Sequence, residues 1–263
     1  MKELQKKIET TLAAYTGRWG MVILNHSSGQ HFALNPDMVF PAASMIKIPI
    51  MYEVMRQAAA GRIDLEQLLI VKDELRVDGA GILKELRPGI SMTIRELVTL
   101  MIILSDNTAT NMLIDLLGMS PVNQTMERLG LKSTVLRRQM MDFAAAAAGQ
   151  ENETSPADII RLLTTIYDHT DLPADYGKLM IEILSKQQVR DKLPFFLPEE
   201  IVIAHKTGTL PGVEHDGGIL FLPGGPYIIC IMTADLPANV EGLQLVAALG
   251  KVLYEHFGEI QTK

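Results

Sequence analysis

The chain has 263 residues, of which 48% are apolar and 21% carry charges of mixed sign. That is enough apolar material for one large domain or two intertwined lobes, and too much for intrinsic disorder. The net charge of −7, with no run of Lys and Arg, argues against a nucleic-acid or anionic-membrane surface.

The N-terminal stretch MKELQKKIETTLAAY predicts a charged amphipathic helix over 4–15. It lacks the apolar stretch of ~7–15 residues found in a signal peptide. The longest apolar run, Leu97–Leu104, is far shorter than the ~20 residues of a membrane helix. A cytoplasmic protein with no membrane partner is therefore expected. WGMVILN then reads as a strand, HSSGQ as a turn and HFAL as the hairpin partner. Pro36 and Pro41 interrupt the extended chain. From Ile48 to Ala60 the pattern predicts a helix closed by Gly61, with Pro49 tolerable only in its first turns.

The middle third predicts helices. Thr93-x-x-Glu96 is a capping box opening a helix that runs to Leu104. NTATNMLIDLLG predicts a second helix, ended by Gly118. Ser120-Pro121 and Ser155-Pro156 each read as an N-cap followed by proline at the first helical position, opening helices 121–129 and 156–168. The alanines 144–148 are strong helix formers. After Pro198 the chain turns β-rich: EIVIAHKTGT, HDGGILFL and YIICIMTA, with LPGGP as the turn between the last two, and a final helix from Val240 to Phe257. Cys230, the only cysteine, allows no internal disulfide and reads as a core residue.

The predicted fold class is α/β (α+β): an antiparallel sheet of about five strands flanked by terminal helices, with an all-helical lobe inserted. One domain, 1–263, would comprise a sheet lobe (1–43 and 198–263) and a helical lobe (44–197). A cleft is expected where the lobes meet.

Three polar clusters interrupt apolar context. In PAASMIKIPI, Ser44 and Lys47 stand three residues apart, so a helix beginning there brings them to one face. Alone, S-x-x-K turns up about once in a chain this long at ordinary residue frequencies. Ser105-Asp106-Asn107 follows a buried helix and Lys206-Thr207-Gly208 ends a strand. Singly, these read as a helix cap and a strand exit. In this order, S-x-x-K, S-D-N and K-T-G together form the motif set of penicillin-binding proteins and class A β-lactamases, at intervals close to those of that family. The chain thus resembles the class A β-lactamase-like serine hydrolases over nearly its whole length.

The resemblance implies roles residue by residue. Ser44 is the nucleophile, Lys47 takes or relays its proton, and Ser105 passes a proton to the leaving group. Asn107 binds a substrate amide, while Asp106 turns inward and holds the loop. Lys206 and Thr207 bind a substrate carboxylate, Gly208 leaves room for the ligand, and the backbone N–H groups of Ser44 and Thr209 form the oxyanion hole. The family's E-x-x-L-N, whose glutamate activates the deacylating water, is absent between Leu136 and Pro156, where Asp142, Glu151 and Glu153 are the carboxylates present. Glu151 and Glu153 could pair with Arg137 or Arg138, and Asp142 could cap the alanine helix. His215 and Asp216, adjacent on a strand, face opposite ways and cannot both reach one serine. The histidines show no metal-ligand spacing, so no metal or cofactor is expected. The expected partner is a small molecule with an amide or ester bond: a β-lactam, a D-alanyl peptide or a simple ester. The alternatives are a binder that acylates without efficient turnover, and an inactive fold kept for protein interaction.

Overall fold

The computed structural model describes residues 2–258; residue 1 and residues 259–263, which the expected sheet lobe includes, lie outside the described residues. Helix α1 (Lys2–Leu12) buries Leu4, Ile8 and Leu12 along one face. It stops short of the expected residue 15, because Ala14 and Tyr15 bond back to Thr11 and Leu12 in a tighter terminal turn. Strands β1 (Arg18–Asn25) and β2 (His31–Leu34) follow as the expected hairpin, with Met21 opposite Leu34. A two-residue strand β3 (Phe40–Pro41) and a 3₁₀ turn, Ala43–Ile46, lead into α2 (Lys47–Ala59).

The inserted segment is helical apart from three short strands that sequence patterning did not reveal. Strands β4 (Leu68–Ile70) and β5 (Ser91–Thr93) pair with each other. Helices α3 (Ile94–Ile103), α4 (Asn107–Leu117), α5 (Met119–Arg128) and α6 (Phe143–Ala147) come next. Strand β6 (Glu153–Thr154) pairs with β3, and α7 (Pro156–Asp168) and α8 (Ala174–Ser185) close the lobe. Thr93 and Glu96 form the expected capping box, and Ser155 caps α7 ahead of Pro156. Ser120 does not cap α5. Gly118, at φ 76°, ends α4 and at once serves as the cap of α5, so Ser120 and Pro121 fall inside its first turn. A residue that leaves the α region for φ > 0 is free to reverse the chain in one step, and no separate serine cap is needed.

The C-terminal third supplies β7 (Ile203–Leu210), β8 (Val213–Leu222), β9 (Gly225–Ala234) and α9 (Asn239–Phe257). The five long strands form one antiparallel sheet in the order β2-β1-β9-β8-β7. The sheet is covered on both faces, which is why YIICIMTA reads as a continuous apolar run. Ile229 and Ile231 face α1 and α9, packing with Leu4, Ile8, Leu245 and Leu249. Ile228, Cys230 and Met232 face the helical lobe. The result is three layers, with β7 as the edge strand beside the helical lobe. No helix among the described residues is long and apolar enough to cross a membrane.

The capping box is testable in isolation. Thr93→Ala removes the acceptor of the Glu96 amide and should lower unfolding free energy by about 1 kcal/mol, read in urea as a lower midpoint at unchanged slope.

Candidate active site

Three segments meet at the edge of the sheet. The first is the turn after β3. Ala43 takes φ 45°, a left-handed conformation that costs a residue with a side chain on the order of 1–3 kcal/mol. Buried Met45 and Ile46 hold it down, and the Ala42 amide donates to Asn152 O at 2.7 Å. Ser44 therefore sits half-buried in a 3₁₀ turn before α2, not in the first α-helical turn expected from its spacing. Lys47, the first residue of α2, is fully buried.

The second segment joins α3 to α4. Ser105 adopts φ 56°, which turns both its carbonyl and its hydroxyl inward. Asp106 caps α4 through the Ala109 amide at 2.9 Å, and its other oxygen accepts from Ile82 N at 2.7 Å and Leu83 N at 2.9 Å. As expected, it holds a loop. That loop comes close enough to require glycine at residue 81, where φ is 105° and a Cβ would lie 2.3 Å from Asp106 Cγ.

The third segment is β7. Its alternate residues Lys206 and Gly208 face the Ser44 turn; a Cβ on Gly208 would stand 3.2 Å from the Ala43 side chain, so the strand approaches that turn closely.

The three segments are joined by two buried ammonium groups. Lys47 Nζ donates to Ser105 O (2.6 Å), Ser105 Oγ (3.0 Å) and Asn107 Oδ1 (2.8 Å). Lys206 Nζ donates to Ser105 Oγ (3.0 Å) and Thr207 O (2.8 Å). Ser105 Oγ is thus shared by both lysines. Burial lowers the Lys47 pKa to about 7, with Asp106 opposing the shift. Lys206 is held well below its ordinary value, first by burial and then by the positive charges of Lys47 and Lys192, against Asp216. Two lysines whose pKa values are both lowered by burial, on either side of one serine hydroxyl, can give up and take back a proton through it.

A cleft of about 510 Å³ opens over this arrangement. Ser44, Ser105, Asn107, Thr207 and Thr209 line its polar side, and Leu104, Met140, Phe143 and Val189 its apolar wall. Lys47 and Lys206 lie behind Ser105. Asn107 lends Oδ1 to Lys47 while its Nδ2 donates to Asp78 O. The Thr209 hydroxyl points away, donating to Glu214 Oε2 at 2.8 Å, so Thr209 presents only its backbone to a ligand.

The carboxylates of the 136–156 segment are all engaged elsewhere. Asp142 caps α6 through the Ala145 amide. Glu151 pairs with Arg138 and Glu153 with Arg137. Among the described residues that line the cleft there is no Asp or Glu. The wall holds Met140 instead, whose backbone is pinned by Asn111 through Met140 N to Oδ1 (2.8 Å) and Nδ2 to Met140 O (3.2 Å). His215 Nε2 bonds Pro41 O at 2.8 Å and Nδ1 accepts from Thr233 N, which sets the neutral tautomer; burial lowers its pKa to about 4. Asp216 lies on the opposite face, against His205. The pair makes no Ser-His-Asp triad. No cluster of His, Cys, Asp or Glu that could hold a metal occurs among the described residues.

Sequence reasoning missed Asn111, Lys192, Glu214 and Asn239. Asn111 carried a signal, since it lies four residues after Asn107 on the face of α4 that points inward. Lys192 and Glu214 carried none, because nothing local marks a lysine and a glutamate that meet only when the sheet edge is built.

Comparison with known proteins gives a consistent picture. The profile of the beta-lactamase enzyme family matches residues 3–257. The chain is 24% identical to beta-lactamase VEB-1 of Pseudomonas aeruginosa, over 97% of this chain and 90% of that one. It superposes on a beta-lactamase from Sphaerobacter thermophilus with a TM-score of 0.89 at 30% identity, covering 100% of this chain and 99% of that one. The same score and identity hold for a leucine-to-glutamate mutant of PBP-A solved as its acyl-enzyme complex with penicillin G, over 97% and 96% of the two chains.

The Asp106 carboxylate is the structural keystone of the second segment. Asp106→Ala strands three backbone N–H groups and should cost at least about 3 kcal/mol of stability. Equilibrium denaturation of the variant measures this directly.

Proposed function

The chain belongs to the beta-lactamase enzyme family, and we propose on that basis that it opens β-lactams and related strained amides or activated esters through a covalent ester on Ser44. The observation that carries this reading is the sharing of Ser105 Oγ by two buried lysines of depressed pKa beside a serine held in a strained turn.

Ser44 Oγ attacks the substrate carbonyl carbon while its proton passes to the neutral amine of Lys47. Charge gathers on the carbonyl oxygen, where the backbone N–H groups of Ser44 and Thr209 would receive it. When the C–N bond breaks, the departing nitrogen takes a proton from Ser105 Oγ, which Lys206 or Lys47 replaces. Asn107 meets the acyl amide. The Thr207 hydroxyl, backed by Lys206, meets a carboxylate. Gly208 keeps the strand low enough for the substrate to lie along the edge of β7.

Hydrolysis of the Ser44 ester then requires a water and a base. General-base assistance contributes about 10²–10⁴-fold, or roughly 3–5 kcal/mol of barrier, and none of the described residues lining this cleft is a carboxylate. We therefore expect an enzyme that acylates readily and releases bulky β-lactam products slowly. Small esters turn over better, since their alcohol departs and water can enter beside Lys47.

Intact-mass spectrometry with penicillin G should show one adduct of the whole drug, absent from Ser44→Ala. An adduct that survives this change removes Ser44 from its role. A chromogenic β-lactam in stopped flow should give a burst equal to one site followed by a slow phase. Rapid linear hydrolysis would mean that an effective base is present after all.

The acylation rate should also report the Lys47 amine. Its pKa is lowered from 10.5 to about 7, so the base form prevails above that pH and is titrated away below it. The rate should fall about tenfold per pH unit below 7 and level off above. A profile flat from about pH 5 to about pH 9 excludes Lys47 as the acceptor.

A further inference from the structure

A second buried polar cluster touches β7 from behind, on the face of the sheet covered by the terminal helices. Lys192, in the segment between α8 and β7, is 1% exposed. Its Nζ donates to Gly208 O (2.9 Å), Thr209 Oγ1 (2.9 Å) and His215 O (3.3 Å), and pairs with Glu214 Oε2 at 2.6 Å. Glu214 accepts in turn from Thr209 Oγ1 (2.8 Å) and Asn239 Nδ2 (2.7 Å). Gly208 and His215 face each other across β7 and β8, so a single ammonium ties the two strands together at that rung.

Such a pair is a poor way to gain stability. Desolvating two charges costs several kcal/mol per ion, and apolar replacements are often neutral or better. Its value here is positional. Gly208 O and Thr209 N–H belong to one planar peptide group, and with no cis peptide bond in the described chain they point in opposite directions. Fixing the oxygen toward Lys192 fixes the N–H away from it, out from the edge strand toward the cleft. The peptide follows a glycine in the β7–β8 ladder opposite His215, and Lys192 reinforces the orientation that the strand pairing sets. A cation on the oxygen also polarises the group and strengthens its N–H as a donor.

We infer that Lys192 is a positioning residue for acyl transfer, which orients and polarises the Gly208–Thr209 peptide so that the Thr209 amide can receive the developing oxyanion. This rests on the proposed Ser44 acylation. Glu214 is the counter-ion that makes the buried cation tolerable, and Asn239 holds Glu214 in place.

The test is the double variant Lys192→Met/Glu214→Gln, which removes both charges and leaves neither unpaired. Circular dichroism checks that it folds. Stopped flow with a chromogenic β-lactam separates the dissociation constant from the acylation rate constant, and infrared difference spectroscopy reads the acyl-enzyme carbonyl band. Loss of one well-placed donor costs about 10²–10³-fold, and a disoriented donor should cost about 10–100-fold of the acylation rate. The dissociation constant should change less than about threefold, and the carbonyl band should move to higher wavenumber as its hydrogen bond weakens. Should the methionine variant not fold, Lys192→Gln/Glu214→Gln keeps a neutral donor near Gly208 O and should show the same shifts, smaller in size. A folded variant with the wild-type acylation rate and an unmoved band overturns the inference, as does a loss confined to the dissociation constant. Wild-type protein that forms no Ser44 adduct would instead overturn the proposed function itself, and the inference with it.

Discussion

The burial of the Lys47 ammonium is the constraint around which the rest of the molecule is arranged. A cation taken out of water costs several kcal/mol unless its hydrogens are met, and α2 carries this one into the interior at its first residue. Its three acceptors come from Ser105, in the turn between α3 and α4, and from Asn107, which opens α4. That turn must therefore stand where Lys47 arrives, which Ser105 achieves only by taking a left-handed backbone. Asp106 stabilises the result by collecting three amides, one from its own helix and two from the loop beyond Gly81. The strained Ser105 and the glycine at 81 are each a step away from this one contact.

The sheet supplies what the helices cannot. An edge strand presents unpaired backbone groups that would otherwise recruit another chain. Here β7 lies close against the Ser44 turn at Gly208, its residues Thr207 and Thr209 line the cleft, and it is tied to β8 by Lys192. One face of β7 packs against the Ser44 turn and the other is fastened to buried charge. The exposed edge is thereby held in a fixed register.

Much of this was legible in the sequence, for physical reasons that differ by element. The capping box at Thr93 and the Ser155-Pro156 start depend on contacts within four residues, so local pattern sufficed. The long strands β7, β8 and β9 are buried on both faces and announce themselves as apolar runs. The Ser44, Ser105 and Lys206 clusters stood out as polar interruptions, and the structure brings them together. Ser120 misled because Gly118 was already turning the chain. The 3₁₀ turn at Ser44 was hidden because its geometry is imposed by neighbours: Asn152 O on the Ala42 amide and Gly208 against Ala43. The short pairs β3–β6 and β4–β5 hold two or three residues each, too few to carry a period of two.

The chain order of the sheet has a consequence for how the protein is made. Strand β1 is made about 200 residues before β9, its neighbour on one side. α1 likewise packs against α9. During synthesis β1 and β2 can form only a lone hairpin, which is marginal by itself in water, while the intervening helices can associate locally as they appear. Ser44 is translated well before Lys206, the other end of the cluster. Nascent chains therefore carry an apolar β1 waiting for its partner until β9 emerges. Substitutions that slow β9 docking should show as lost yield well before they show as lost stability.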